Sequence, residues 1–101
     1  MDTDELAALL NTLGNKHSLA ILAELADSEQ YVSELAEKIG ISRPLLYLHL
    51  KKLENVGLVE GEIRHFDEPP YTKKYYSAND FHIEVTLKHI KDIVNNNTKE
   101  N

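Results

Sequence analysis

Cysteine and tryptophan are absent from this 101-residue chain, and it has only four glycines, three prolines and 7% aromatic residues. Without thiols there is no disulfide framework, no thiolate metal site and no cysteine nucleophile. No Gly/Ser-rich linker, internal repeat or low-complexity segment interrupts the chain. No apolar run approaches the roughly 20 residues that span a bilayer. Met1-Asp2-Thr3-Asp4-Glu5 is acidic where a signal peptide is basic. These absences lead us to expect a cytoplasmic protein with no membrane association. What is present suits a folded chain: 42% hydrophobic residues over a length that allows one small domain. So thin a core gains from the burial a second subunit brings.

The net charge is −6, which on its own argues against a polyanionic partner. Its distribution is uneven. Residues 1–40 carry 2 basic and 8 acidic side chains, residues 41–77 carry 6 and 5, and residues 78–101 carry 3 and 4. Only the middle of the chain tolerates phosphate.

Helix signals dominate the first half. Leu6, Leu9, Leu10 and Leu13 recur at i, i+3, i+4 and i+7. Thr3 is placed to cap this helix, Asp4 and Glu5 suit its positive end, and Gly14 suits its exit. A second helix follows Asn15, with Leu19, Leu22, Ala23, Leu25 and Ala26 expected inward and Ile21 beside them. After a very short strand at Tyr31-Val32, Ser33 is expected to cap a third helix, Glu34 to Ile39, which Gly40 stops. Ser42 then caps a fourth, with Pro44 in its first turn, where a missing amide proton costs little.

Residues 33–56 thus read as two helices joined by a glycine turn, a helix-turn-helix. Ala36 is small where the helices approach, and Ile41, Leu46, Leu50 and Leu53 lock the second onto the first. Gly57 ends it. Residues 58–77 read as a hairpin: a strand from Leu58, a loop at Asp67-Glu68-Pro69-Pro70, and a returning strand Thr72 to Tyr76. A helix-turn-helix followed at once by a basic-flanked hairpin is a winged helix. A last helix is expected from an Asn79-Asp80 cap, with Ile83, Leu87, Ile90 and Val94 as its stripe and Phe81 and Ile93 flanking. The expected fold is mainly α with a small β-hairpin: five helices and a two- or three-stranded wing sheet in one domain over residues 1–94. Residues 95–101, rich in Asn, are expected to be a disordered tail.

Several segments resemble the ArsR-type winged-helix repressors. They are Leu13-Gly14 with Leu19-Ala20-Ile21-Leu22, Ser33-Glu34-Leu35-Ala36, Ser42-Arg43-Pro44, His49-Leu50-Lys51-Lys52-Leu53 and Gly57-Leu58-Val59. The resemblance covers about residues 6–94 and is most specific over 42–59. It implies a dimeric, sequence-specific regulator of transcription that binds double-stranded DNA and pairs through its first and last helices. The homodimer contacts are then expected from Leu6, Leu9, Leu10, Leu13, Ile83, Leu87, Ile90 and Val94. The two-fold axis of such a dimer demands a palindromic site.

At about 100° per residue, Leu46, His49, Leu50, Leu53 and Val56 fall on one side of the fourth helix. Pro44, Tyr47, Leu48 and Lys51 fall on the other. Ser42, Arg43 and Pro44 form the end that enters the groove first in this docking mode. Arg43 and Lys51 suit phosphate or guanine, and Tyr47 reaches phosphate or base. Leu48 suits either a thymine methyl or packing on a neighbour. In the wing, Arg64, His65, Lys73 and Lys74 are candidates for the minor groove or backbone.

The family's metal sites are not reproduced. Val32-Ser33-Glu34-Leu35-Ala36 has no thiol. Separately, Ser18 stands where many members carry arginine, which implies one phosphate contact fewer. Asp80-Phe81-His82 echoes half of a last-helix site whose other half falls on Ile93 and Asn96. No cofactor and no metal are therefore expected. No nucleophile–base pair or phosphate loop argues for an enzyme. The alternative to DNA binding is a winged-helix protein-interaction module, which the net charge and the acidic loop Asp67-Glu68 favour.

Overall fold

The Asp2 carboxylate starts the first helix. Its Oδ1 accepts the Glu5 N–H at 2.8 Å, so α1, Thr3–Leu13, begins one residue earlier than a Thr3 cap would give. Gly14 closes α1 by donating its N–H to the Leu10 carbonyl at 2.9 Å. Asn15 caps α2, Lys16–Leu25, by accepting the His17 N–H at 2.8 Å. The computed structural model describes residues 1–100, with side chains through Asn96.

Ser18, Ile21 and Leu25 form the buried side of α2, at i, i+3 and i+7, while Leu19 is exposed. The inward face is therefore rotated from the expected one, because Ile21 rather than Leu19 points between α3 and α4. A two-residue strand, β1 (Gln30–Tyr31), leads straight into α3, Val32–Ile39. Tyr31 is the residue before the helix and makes no side-chain cap, so Ser33 lies inside α3 rather than capping it. Gly40, at φ 78°, adopts the left-handed conformation the turn requires. The Gly40 and Ile41 N–H groups both reach the Ala36 carbonyl, at 2.8 and 3.2 Å.

The Ser42 hydroxyl accepts the Leu45 N–H at 3.3 Å and starts α4, Arg43–Asn55. Leu46, Leu50 and Leu53 are fully buried with Ile21 and Leu35. Gly57, also at φ 78°, turns the chain into β2, Val59–His65. β2 pairs antiparallel with β3, Thr72–Ala78, and β3 pairs with β1, giving the sheet order β1-β3-β2. Tyr76, Val59 and Leu58 carry the sheet's inner side into the core.

The end of the chain differs from expectation. Residues 79–86 are irregular, and α5 spans Leu87–Glu100. Asn79 caps nothing there. Its N–H goes to the Leu58 carbonyl and its side-chain amide to the Gly57 carbonyl, both at 2.9 Å. Ile83, Val85 and Thr86 are β-branched, which weakens helix. The Thr86 hydroxyl instead accepts the His89 N–H at 3.0 Å. Phe81 and Ile83 are therefore off the helix, and Ile83 packs against the core. The helical backbone also continues past Asn95 to Glu100, where a disordered tail was expected. Once nucleated, a helix adds one hydrogen bond per residue ordered. The expectation for Asn101 falls outside the described residues.

The expected interface leucines divide in the same way. Leu6 and Leu9 are buried within the protomer, and Leu13 packs against its core. Leu10, Leu87, Ile90 and Val94 are exposed. α1 lies at the periphery and packs on α2, α4 and α5 in one chain, so its stripe is largely used by its own protomer.

His49 shares the inward side of α4. It is 5% exposed, and its ring meets that of His17 on α2 at 5.2 Å between centroids. Burial first, then the nearby His17 and Lys52, hold its pKa below the ordinary 6.5.

Two predictions follow from this packing. Leu50→Ala should cost about 2–5 kcal/mol in urea unfolding, whereas Leu48→Ala, on the exposed side, should stay within about 0.5 kcal/mol. For His49, the unfolded chain takes up a proton near pH 6.5 and the folded chain only at lower pH. The stability that goes with a neutral His49 is therefore complete above 6.5 and is lost as pH falls through the folded value. Urea midpoints measured between about pH 8 and pH 5 should decline on the acid side, and less steeply in His49→Gln. An identical decline in that variant would assign it to other groups.

Candidate nucleic-acid interface

The inward burial of α4 fixes what the helix shows to solvent. Pro44, Tyr47, Leu48 and Lys51 recur at i, i+3, i+4 and i+7, and all four are exposed. Tyr47 and Leu48 are 45% and 51% exposed, so the Leu48 side chain stands clear of the core rather than filling it. Arg43 occupies the first helical position behind the Ser42 cap, exposed at the positive end of α4.

The wing returns beside that end. A cleft of about 200 Å³ is lined by Arg43 and Tyr47 from α4, Ser33 from α3, and Thr72, Lys73 and Lys74 from β3, with Tyr31, Val32 and Pro70 completing the wall. Four of the sequence-predicted residues, Arg43, Tyr47, Lys73 and Lys74, therefore meet in one place. Lys73 pairs with Arg64 across the ladder and Lys74 with Ile63, so the two lysines leave opposite faces of β3. Both nevertheless line the cleft.

The lysines have different surroundings. The Lys73 ammonium lies 4.4 Å from the Tyr31 ring centroid and 5.5 Å from that of Phe66, a cation–π arrangement. The Lys74 ammonium lies 5.1 Å from the Tyr76 ring. Its hydrogen bond to Tyr76 holds its pKa above the ordinary lysine value, and burial raises that of Tyr76.

Other predicted residues lie outside the cleft. Lys51 is further along α4 and His65 is exposed at the end of β2. Arg64 is engaged within the protein. Its guanidinium donates to both Glu29 carboxylate oxygens, at 2.6 and 2.7 Å, and to Glu62 at 3.2 Å. It also lies 4.4 Å from the Tyr75 ring centroid. These partners hold its pKa above the ordinary arginine value, and Arg64 in turn holds the Glu29 carboxyl below its own. The sequence reading missed Ser33 and Thr72 as cleft residues and Glu29 as the partner of Arg64. The last pair is 35 residues apart, and no local pattern signals it.

Asp80 and His82 lie in the irregular segment rather than on α5, and the His89 Nδ1 is 2.7 Å from the Glu84 carbonyl. Among the described residues no group of three His, Asp or Glu side chains is placed to hold a metal ion. Among them, too, no helix is long and apolar enough to cross a membrane.

Comparison with known proteins agrees with this arrangement. Residues 16–61 match the profile of the bacterial regulatory proteins of the arsR family. Over 84 residues the chain is 33% identical to an uncharacterised HTH-type transcriptional regulator of Methanocaldococcus jannaschii, covering 83% of this chain and 86% of that protein. A homodimeric winged helix-turn-helix DNA-binding domain from Mycobacterium bovis superposes with a TM-score of 0.62 at 29% identity, over 74% of this chain and 64% of that one. The transcriptional repressor BigR from Xylella fastidiosa does so with a TM-score of 0.62 at 27% identity, over 96% and 86%. The family is one of transcriptional regulators rather than enzymes. From residues 16–61, which span α2 to the start of the wing, and from this likeness over most of its length, the chain is a winged helix-turn-helix member of the arsR family of regulatory proteins.

Proposed function

We propose that this regulator binds double-stranded DNA as a homodimer and represses transcription from a palindromic site, working in the cytoplasm beside that DNA. The observation that carries the reading is the cleft where Arg43 and Tyr47 meet Lys73 and Lys74. In a chain of net charge −6, these cations gather where the leading end of a recognition helix and its wing converge. Arg43 and Lys51 take guanine edges or phosphate, Tyr47 phosphate or base, and Leu48 a thymine methyl. Ser42 and Pro44 fix the leading turn of the helix. Lys73, Lys74 and His65 track the adjacent backbone and supply affinity independent of sequence.

The dimer reading rests on α5. Of its described side chains only Ile93 is buried, while Leu87 is 85% exposed and Ile90 and Val94 are about 40% exposed. With Leu10 on α1 they form an apolar surface suited to a two-fold partner. That pairing sets the two copies of α4 on successive major grooves, roughly 34–36 Å apart. The homodimeric Mycobacterium bovis domain and the repressor BigR, as relatives, support the assembly and the direction of regulation.

Selection from random duplexes at low salt should enrich a palindrome. Arg43→Ala should then cost about 1–3 kcal/mol on that sequence and relax preference at one position of each half-site. A pool that enriches nothing would refute the reading. Leu87→Glu with Ile90→Glu should turn a sedimenting dimer into a monomer that keeps its helical circular dichroism, and should weaken DNA binding with it. A wild-type protein that is monomeric at micromolar concentration while still binding the palindrome would remove the α5 interface.

A further inference from the structure

A residue on the wing that carries a full positive charge is ordinarily assigned to phosphate. Arg64 has a different set of partners. Both of its terminal nitrogens face the Glu29 carboxylate, at 2.6 and 2.7 Å, in the parallel two-bond geometry that makes arginine–carboxylate pairs strong and directional. Glu62, two residues away on the same strand, takes a third bond at 3.2 Å. The plane of Tyr75 lies beneath the guanidinium at 4.4 Å. Tyr75 pairs across the sheet with both Glu62 and Tyr31, and its ring meets that of Tyr31 at 5.8 Å. Tyr31 carries Lys73 above its ring.

These contacts tie β2, the outer strand of the wing, to the segment between α2 and β1. Glu29 ends the turn after α2 and directly precedes β1, so it belongs to the helical body. Arg64 is next to last in β2, beyond the point where β1 supports the sheet. Val59 and Tyr76 anchor the base of the hairpin in the core, but the ladder from Ile63 to His65 projects past it with exposed or half-buried side chains. Isolated surface ion pairs contribute little. This one has a bidentate geometry, a second carboxylate and a stacked ring, and it closes a loop of 35 residues.

We propose that Arg64 is a positioning residue: clamped by Glu29 and Glu62 over Tyr75, it fixes the outer wing against the helical body and so holds Lys73 and Lys74 beside Arg43. With two carboxylates on its guanidinium, Arg64 presents no net positive charge to DNA. The lysines that share its hairpin make the phosphate contacts, and the clamp determines where they stand.

This inference rests on the DNA-binding reading, and the test separates the two. It uses the full chain on the duplex enriched by selection, with amide hydrogen exchange on the free protein in parallel. Removing the Glu29 charge favours a polyanion on electrostatic grounds alone, so the sign of its effect is decisive. Glu29→Gln should weaken binding about fivefold, the scale of a well-formed ion pair. Arg64→Lys should do the same, because an ammonium has no fork. In a Lys73→Gln/Lys74→Gln background, Glu29→Gln should cause no further loss, since the clamp acts through those lysines. The reversed pair Glu29→Arg/Arg64→Glu should recover much of the affinity. In the free protein, Glu29→Gln should speed exchange over residues 62–65 and 72–75.

Tighter binding by Glu29→Gln together with a harmless Arg64→Lys would make Arg64 a phosphate ligand that Glu29 restrains, and would overturn the proposal. So would unchanged exchange in the wing. A wild-type chain that binds no duplex would refute the functional reading instead, and the exchange result would still decide the clamp.

Discussion

Leu46, Leu50 and Leu53 are fully buried on one side of α4, with His49 beside them, and this seat orients everything the helix presents to solvent. A helix rotates as a unit, so locking i, i+4 and i+7 against α2 and α3 leaves Pro44, Tyr47, Leu48 and Lys51 no freedom to turn inward. The turn before it is equally constrained. Gly40 at φ 78° lets Ile41 fold back on Ala36, and Ser42 starts the next helix at once. The exposed stripe is thus a consequence of core packing, and a protein that reads DNA through it needs no separate device to aim it. His49 makes the seat sensitive to charge, since a proton there would sit in an apolar contact beside His17 and Lys52.

The same economy governs charge. A chain of net −6 repels a polyanion as a whole, and only local segregation reverses that. The acidic excess falls in the first forty residues, which build α1, α2 and α3 rather than the exposed side of α4. Glu29 and Glu62 act internally by neutralising Arg64. Lys73 and Lys74 lie over aromatic rings, which favour the cation without cancelling it as a carboxylate would. Of the acidic side chains of the wing, Glu62 is paired with Arg64, and Asp67 and Glu68 stand in the exposed loop.

Much of this was legible in the sequence, for reasons that differ by element. α4 is written in local signals: a serine cap, a proline in the first turn, leucines at helical spacing and a terminal glycine, all within sixteen residues. The hairpin is announced by β-formers flanking Pro69-Pro70. The third strand of the sheet was half visible as Tyr31-Val32 and lies one residue earlier. The start of α5 was misplaced because Asn79 has cap chemistry, yet its donors are taken by Gly57 and Leu58, 22 and 21 residues away. The inward face of α2 was misjudged because Leu19 and Ile21 are equally apolar, and the choice between them is made by where α3 and α4 lie. Arg64 was a candidate for the minor groove or backbone from its place in the wing. Its pairing with Glu29, 35 residues away, is invisible to any argument that stays within one element.

The misplaced helix carries a structural consequence of its own. Asn79 grips the two residues that end the α4 turn, donating to the Gly57 and Leu58 carbonyls. Four residues beyond it Ile83 touches the core, and α5, with Ile93 buried, packs on α1. Between those anchors the segment 79–86 has no helix of its own to stiffen it. On the dimeric reading, α5 bears the partner while Asn79 bears on the end of the recognition helix. α5 is thus connected to α4 by two routes, through α1, which packs on both helices, and through Asn79 at the Gly57 turn. The end of α4 is therefore held by residues that lie more than twenty positions further along the chain, and its local cap signals account for only part of its placement.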